Sequence, residues 1–272
     1  MVTYFGHIGG LRPGLTRVES SSVDIFAFAQ AAYSLSFAPN KESVPVCEVR
    51  ETGGGTTRDF LASELTDGTL EDFVGANDGV ISKWYDLTGN GHTLEDIAGE
   101  NAGPKIVSAG TPNLLAGRPC ALFYYTTKAY LDTVAENDIP AGIYDVIFVV
   151  DVNQAGCLGN RSRYNTYVWF ALPQNRGEGW YAYQGMGTQT YRKNGEDQTW
   201  VWRSHLYFGL LSPSIFTARN VENGPYGIGL GRPNPSGNLE TSSGIAAMFI
   251  VLVSAGMTEL IEGEPNGHFG IY

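Results

Sequence analysis

The stretch that decides the fold lies in the first third of the chain and reads Ile81-Ser82-Lys83-Trp84-Tyr85-Asp86-Leu87-Thr88-Gly89-Asn90-Gly91-His92-Thr93-Leu94. The residues from Val80 to Tyr85 are mostly apolar, which predicts a β-strand. The residues from Thr88 to Gly91 predict a tight turn, because Gly and Asn tolerate positive φ and the Asp86 carboxylate can accept hydrogen bonds from turn amides. The key residues of this strand and corner are Trp84, Tyr85, Asp86, Gly89, Asn90 and Gly91.

The composition favours an all-β protein. The 272 residues include 35 Gly, 15 Tyr, 13 Phe and 5 Trp, whereas only 17% are charged. Many short aromatic strands joined by glycine turns fit these numbers better than helices do. A chain of this length can form one large β-sandwich. No repeat or linker divides it, so we expect an N-terminal arm over residues 1–21 and one domain over residues 22–272.

The charge balance argues against two classes of partner. The chain has 17 Lys and Arg against 28 Asp and Glu, a formal net charge of −11, and phosphate backbones and anionic membrane surfaces repel such a protein. We therefore expect no binding to nucleic acid. The sequence also shows no signal peptide and no apolar run long enough to span a membrane, so we expect no membrane insertion.

The three cysteines, Cys47, Cys120 and Cys157, are widely spaced, and none lies in a Cys-x-x-Cys pair. This pattern indicates buried thiols in a chain made in a reducing cytoplasm.

The order of segments resembles the concanavalin A-like (laminin G-like) jelly rolls, especially those encoded in bacteriophage virion genes and, more distantly, fungal arabinofuranosidases. The matching segments are Ala32 to Leu35, Val46 to Arg50, Trp84 to Gly91 and Gly117 to Pro119. The resemblance covers about residues 22–272 and implies an antiparallel β-sandwich with a few short helices. One departure is Phe123-Tyr124-Tyr125, where many relatives have a Phe-Asp-Gly turn near a cation- or ligand-bearing edge.

Several elements follow from local patterns. Apolar residues at helical spacing predict a short helix from Val23 to about Tyr33, and a capped turn predicts another from Thr69 to Val74. The apolar run from Tyr144 to Val152 predicts a central strand covered on both faces. A last buried strand is expected from Gly244 to Val253, followed by a short helix that begins near Thr258.

The motifs that would indicate catalysis are absent. Glucanases of this fold class carry Glu-x-[Asp/Glu]-x-Glu on one strand, which places two carboxylates on one face of the sheet. The nearest match, Glu262 and Glu264, is interpreted as a solvated acidic cap at the C-terminus. Glu95, Asp96 and Glu100 are weaker candidates for a catalytic or cation-binding role in a loop. We therefore predict a non-enzyme without a cofactor, and leave Ca²⁺ binding open, with Asp86 as either a turn-fixing residue or a cation ligand.

Sugar binding is a further hypothesis. Aromatic and polar residues cluster along the predicted meander, and lectins use such side chains to hold sugar rings. The alternative is that the aromatic pairs fill the sandwich core. The candidate residues are Trp180, Tyr183, Asn194, Trp200, Trp202 and Arg203.

The resemblance favours a non-enzymatic bacteriophage virion protein, a decoration, tail, fibre or spike component that assembles with capsid or tail proteins and contacts a host glycan. Tyr4, Phe5 and Leu11 in the N-terminal arm would dock on the particle, and the chain would form a homo-oligomer. The alternative is a secreted or surface glycan-binding protein or glycoside hydrolase of the same fold.

Overall fold

The structure, a computed structural model, describes residues 24–96, 103–124, 129, 131–133, 139–152, 157–161, 170–171, 190–198, 212–223, 227–230, 242–252 and 256–272. The strands in these residues are β1 Ala29–Ser34, β2 Cys47–Glu51, β3 Thr57–Phe60, β4 Gly79–Trp84, β5 Leu94–Glu95, β6 Lys105–Ser108, β7 Thr111–Pro112, β8 Leu114–Leu115, β9 Arg118–Pro119, β10 Ala121–Tyr124, β11 Leu131–Thr133, β12 Gly142–Val152, β13 Cys157–Arg161, β14 Phe170–Ala171, β15 Thr190–Lys193, β16 Glu196–Gln198, β17 Ser214–Asn223, β18 Gly227–Leu230 and β19 Ser242–Leu252. The helices are a 3₁₀-helix Ile25–Phe28, α1 Thr69–Val74 and α2 Thr258–Phe269.

The strands form two antiparallel layers. One layer has the order β16-β15-β17-β12-β19-β1. The other has the order β3-β2-β4-β5-β11-β18-β13-β14. Strand β10 pairs with both β19 and β6, and β6 pairs with β4, so one hydrogen-bonded edge connects the layers. This architecture confirms the predicted concanavalin A-like antiparallel β-sandwich.

The core lies between the layers and is rich in aromatic rings. Tyr33 of β1 and Trp84 of β4 are both fully buried, and their ring centroids lie 6.1 Å apart in an edge-to-face arrangement. Because the two rings belong to different layers, this contact joins the layers through apolar burial and ring geometry.

The predicted central strand is confirmed as β12, which pairs with β17 on one side and β19 on the other. Every side chain from Tyr144 to Val150 is buried. A strand covered on both faces has no polar face to expose, which explains its continuous apolar sequence.

The helix predicted from Val23 to about Tyr33 is wrong. Within the described residues of this segment, a single 3₁₀ turn, Ile25–Phe28, is followed directly by β1. Five of the six residues of β1 are buried, and the strand pairs with β19 from Ala29 to Ser34. A short apolar run with both faces covered has no distinct period, so pairing with β19 rather than local spacing decides its structure.

The C-terminal helix is longer than predicted. Helix α2 continues through Pro265 to Phe269 and is capped by Gly270, which has φ of 61° and donates its N–H to the carbonyl of Asn266 at 2.8 Å. Pro265 and Phe269 are buried. Packing of these two side chains on the sandwich compensates for the backbone hydrogen bond that a proline cannot donate.

Candidate functional site

The corner after β4 is held by the carboxylate of Asp86. Its Oδ1 accepts hydrogen bonds from the N–H groups of Ala32 at 3.0 Å and Thr88 at 3.1 Å. Its Oδ2 accepts from the N–H of His92 at 3.2 Å and from the Thr88 hydroxyl at 2.7 Å. The carboxylate therefore ties the corner to β1, on the other layer.

Glycine conformations and side-chain contacts complete this corner. Gly89 and Gly91 have φ of 86° and 89°, values that residues with a Cβ rarely adopt. The Asn90 side-chain amide donates to the carbonyl of Gln30 at 2.9 Å. Next to the corner, the Tyr85 hydroxyl donates to Asp59 at 2.6 Å on the outer side of the sheet.

A line of charged residues crosses the outer face of the second layer. Lys83 of β4 lies opposite Glu95 of β5, and Glu95 lies opposite Asp132 of β11. Residues directly opposite on antiparallel strands project to the same face, with Cβ atoms roughly 4.5–5.5 Å apart. We call Lys83, Glu95 and Asp132 the carboxylate row.

The next residues in line with the row are glycines. Asp132 lies opposite Gly229 of β18, and Gly229 lies opposite Gly159 of β13. Because glycine has no side chain, neither position places a side chain on the face on which Asp132 lies.

The opposite face of the same strands forms the core. Trp84 and Thr133 both lie opposite Leu94, and all three side chains are buried. Since side chains alternate along a strand, Lys83, Glu95 and Asp132 belong to the outer face.

The two acids of the row differ in access to solvent. Asp132 is fully buried, whereas Glu95 is half-buried. Lys83 is partly exposed, and its Nζ lies 3.6 Å from Oε2 of Glu48. Glu48 is fixed in turn by the Ser82 hydroxyl, which donates to its Oε1 at 2.7 Å. One acid of the pair is therefore reachable from solvent, and the lysine beside it is held by a neighbouring carboxylate.

Two neighbouring carboxyl groups can carry out proton transfer. A pair of Asp or Glu residues that exchanges a proton with a glycosidic oxygen is the usual machinery of glycoside hydrolysis, with the groups about 5–5.5 Å apart in retaining enzymes.

Sequence patterns did not identify this pair. Glu95 was expected in a loop but lies in β5, and Asp132 was not a candidate at all. The register between β5 and β11 places the two residues opposite each other. This register joins distant parts of the chain, so no local sequence pattern reveals it.

The predicted glycan residues Trp180, Tyr183, Trp200, Trp202 and Arg203 lie outside the described residues, as do the arm residues Tyr4, Phe5 and Leu11. Asn194 is described and lies at the turn between β15 and β16, with φ of 53°. Its Oδ1 accepts from the N–H of Ile215 at 3.0 Å, and its own N–H donates to the Ile215 carbonyl at 2.8 Å. Asn194 therefore anchors this hairpin to β17.

The interpretation of Glu262 as a solvated cap is wrong. Glu262 is only 2% exposed; its Oε2 lies 2.6 Å from Nη1 of Arg192, and its Oε1 accepts from the Thr217 hydroxyl at 2.5 Å. Burial raises the pKa of Glu262, although the Thr217 hydrogen bond and the charge of Arg192 act in the opposite direction. Glu262 thus fixes α2 to the sheet, while Glu264 is exposed.

Two general features of the described residues bear on the site. Within them, no three His, Cys, Asp or Glu side chains are grouped closely enough to hold a metal ion. None of the helices in the same residues is both long and apolar enough to cross a bilayer.

Comparison with known proteins finds likeness in structure alone. No protein-family model matches the chain, and none of the curated proteins does. A GH54 α-L-arabinofuranosidase soaked with a cyclic sulfate inhibitor is 14% identical, with a TM-score of 0.51. A mutant of a GH54 α-L-arabinofuranosidase soaked with 4-nitrophenyl α-L-arabinofuranoside is 15% identical, with a TM-score of 0.52. Each match covers 87% of this chain and 62% of the other, so this chain spans less than two thirds of those proteins.

These comparisons overturn the prediction that the chain is not an enzyme, because the similar structures are glycoside hydrolases. That prediction relied on the absence of Glu-x-[Asp/Glu]-x-Glu from any single strand. The criterion recognises carboxylates from one strand only, whereas Glu95 and Asp132 come from two. The likeness supports the sandwich fold of the predicted family and gives no link to bacteriophage particles.

Proposed function

We propose that this chain is a carbohydrate-active β-sandwich that hydrolyses glycosidic bonds, with arabinofuranosides as the first substrate class to test. The observation that carries the proposal is the Glu95–Asp132 pair on the outer face of the second layer. The fold likeness to α-L-arabinofuranosidases supports the reaction class. Because fold alone does not determine function, the carboxyl pair is the part that must be tested.

The burial of the two acids suggests different roles. Glu95 is half-buried and would contact the sugar, donating a proton to the leaving oxygen. Asp132 is enclosed next to it and would position the Glu95 carboxyl group. Once the leaving group has departed, the Glu95 carboxylate would take a proton from the water that attacks the sugar. Lys83 would balance the charge that remains after proton transfer.

The test is a hydrolysis assay on a panel of 4-nitrophenyl glycosides that includes 4-nitrophenyl α-L-arabinofuranoside. Glu95→Gln and Asp132→Asn keep the size of each side chain but remove its acid function. Each should lower kcat/KM by about 100-fold or more, the usual contribution of general acid catalysis. Glu196→Gln, at an exposed position of β16 in the other layer, is the matched control and should keep full activity.

A place on a bacteriophage particle stays a prediction that rests on the order of sequence motifs from Ala32 to Pro119. In that setting the partners would be capsid or tail proteins and further copies of this chain, with a host glycan as ligand. Mass spectrometry and immunogold labelling of purified particles would test it. Absence of the chain from particles would exclude this location and leave the hydrolase proposal unaffected.

A further inference from the structure

A pocket of about 300 Å³ lies between the segment after β1 and the C-terminal end of α2. Its lining is mainly apolar, from Phe37, Ala38, Pro39 and Ala62, with Glu42 and Ser63 at the polar part. Ser36 and His268 also line it. None of these residues belongs to the carboxylate row, so the pocket is a separate feature.

Ser36 and His268 form a close pair in this pocket. The Ser36 hydroxyl oxygen lies 3.1 Å from Nε2 of His268, within reach of a hydrogen bond, and the hydroxyl can donate when the imidazole carries its proton on Nδ1. Both side chains are half-buried. A hydroxyl that donates to a neutral imidazole is the basic unit of an activated serine nucleophile.

The imidazole is held in place by aromatic rings. The His268 ring centroid lies 5.3 Å from that of Phe37 and 4.9 Å from that of Phe269. Phe37 and Phe269 are buried, at 6% and 5% exposure, so the ring orientation is fixed by the core. Burial, followed by the positive charge of Arg118, lowers the pKa of His268, which favours the neutral form that a general base requires.

We propose that Ser36 and His268 form a nucleophile–base pair that accepts short acyl groups from carboxylic esters bound in this pocket. The apolar lining suits an acyl chain of a few carbons, and the site is independent of the proposed glycosidase pair. An ester-bearing sugar is one natural source of such a group, and a free ester is another.

The reaction balances with water as the second reactant. Ser36 Oγ attacks the ester carbonyl carbon while Nε2 of His268 takes the hydroxyl proton, and the alcohol then leaves with that proton. Water attacks the acyl-serine carbonyl while His268 takes a proton from the water. Return of this proton to Ser36 Oγ releases the carboxylic acid and restores the pair. General base assistance of this kind contributes about 10²–10⁴-fold.

The test uses the full chain, a fluorophosphonate probe that phosphonylates activated serines, and 4-nitrophenyl acetate and butyrate. Peptide mass spectrometry should place the phosphonyl group on Ser36. Ser36→Ala should abolish this label and lower ester hydrolysis at least about 100-fold, the lower end of the range for general base catalysis. Ser212→Ala, which changes an exposed serine outside the pocket, should leave both unchanged.

His268→Gln separates catalysis from structure, because glutamine can hydrogen-bond the hydroxyl but cannot take its proton. Labelling of Ser36 should fall in this variant while its melting temperature stays near that of the wild type. If the variant unfolds, Ser36→Ala, a small and half-buried change, still decides the question. An unlabelled Ser36 in the folded wild type, or ester hydrolysis equal to that of Ser36→Ala, would overturn the proposal. Comparison of an acetylated sugar with a simple alkyl acetate then distinguishes the two ester sources.

Discussion

Glu95 and Asp132 lie directly opposite each other on the antiparallel strands β5 and β11, on the face of the second layer that points away from the core. On the other side of Glu95 stands Lys83, and beyond Asp132 stand two glycines, Gly229 and Gly159. A cation, two acids and two glycines therefore follow one another in a line. This arrangement makes the outer face of the second layer the candidate catalytic surface.

The corner carboxylate should be a major contributor to stability. Asp86→Ala removes the acceptor for the N–H groups of Ala32, Thr88 and His92, and should lower the free energy of unfolding by about 3 kcal/mol. Urea denaturation measures the change. Asp67→Ala is the control, because this exposed carboxylate accepts one backbone N–H, from Thr69, and its loss should cost much less than the loss of Asp86. Equal losses in the two variants would refute the role of Asp86.

The ion pairs beneath α2 give a second prediction. Arg192→Met leaves the buried Glu262 without its 2.6 Å partner and should destabilise the protein by about 3 kcal/mol or more. Arg58→Met removes a more exposed arginine, 41% against 13%, whose partner Glu64 is 24% exposed, and should cost about 1 kcal/mol. Thermal melts of both variants at pH 7 provide the comparison. A smaller loss in the Arg192 variant would show that α2 does not depend on this pair.

Alanine substitutions at two hairpin glycines distinguish the cost of backbone strain from the cost of a steric clash. Gly110 and Gly117 have nearly equal φ, 76° and 75°, so alanine at either position meets the left-handed penalty of about 1–2 kcal/mol. At Gly110 a Cβ would also lie 2.7 Å from the carbonyl oxygen of Gly75, whereas at Gly117 no atom lies within 4 Å. Gly110→Ala should therefore be clearly less stable than Gly117→Ala in chemical denaturation. Similar stabilities of the two variants would mean that the backbone at Gly75 shifts at little cost to accommodate the added Cβ.

The labelling of Ser36 should depend on pH through His268. An ordinary histidine has a pKa of about 6.5, and burial together with Arg118 lowers that of His268. The base is active when neutral, so labelling should be lost as pH falls through the lowered value, with a midpoint below about 6.5. Glu42, which lines the same pocket, would oppose this shift when ionised. The rate of fluorophosphonate labelling between pH 4.5 and 8 measures the midpoint, and a midpoint above the ordinary value would contradict the environment described for His268.

Local patterns predicted the elements whose structure is decided locally. The strand before Tyr85, the corner at Gly89 to Gly91 and the apolar strand β12 follow from apolar runs and turn residues. The segment around Ala29 was misassigned because pairing with β19 overrides its helical spacing. Glu95 and Asp132 could not be paired in advance, since the register of two short strands is fixed by the fold as a whole.

The most direct test of the central proposal measures release of 4-nitrophenol from a panel of 4-nitrophenyl glycosides by the wild type, Glu95→Gln, Asp132→Asn and the control Glu196→Gln. We predict turnover of at least one glycoside by the wild type and the control, and a loss of about 100-fold or more in both variants of the pair. Absence of turnover across the panel, or full activity in either variant of the pair, would contradict the assignment of Glu95 and Asp132 as a glycosidase pair.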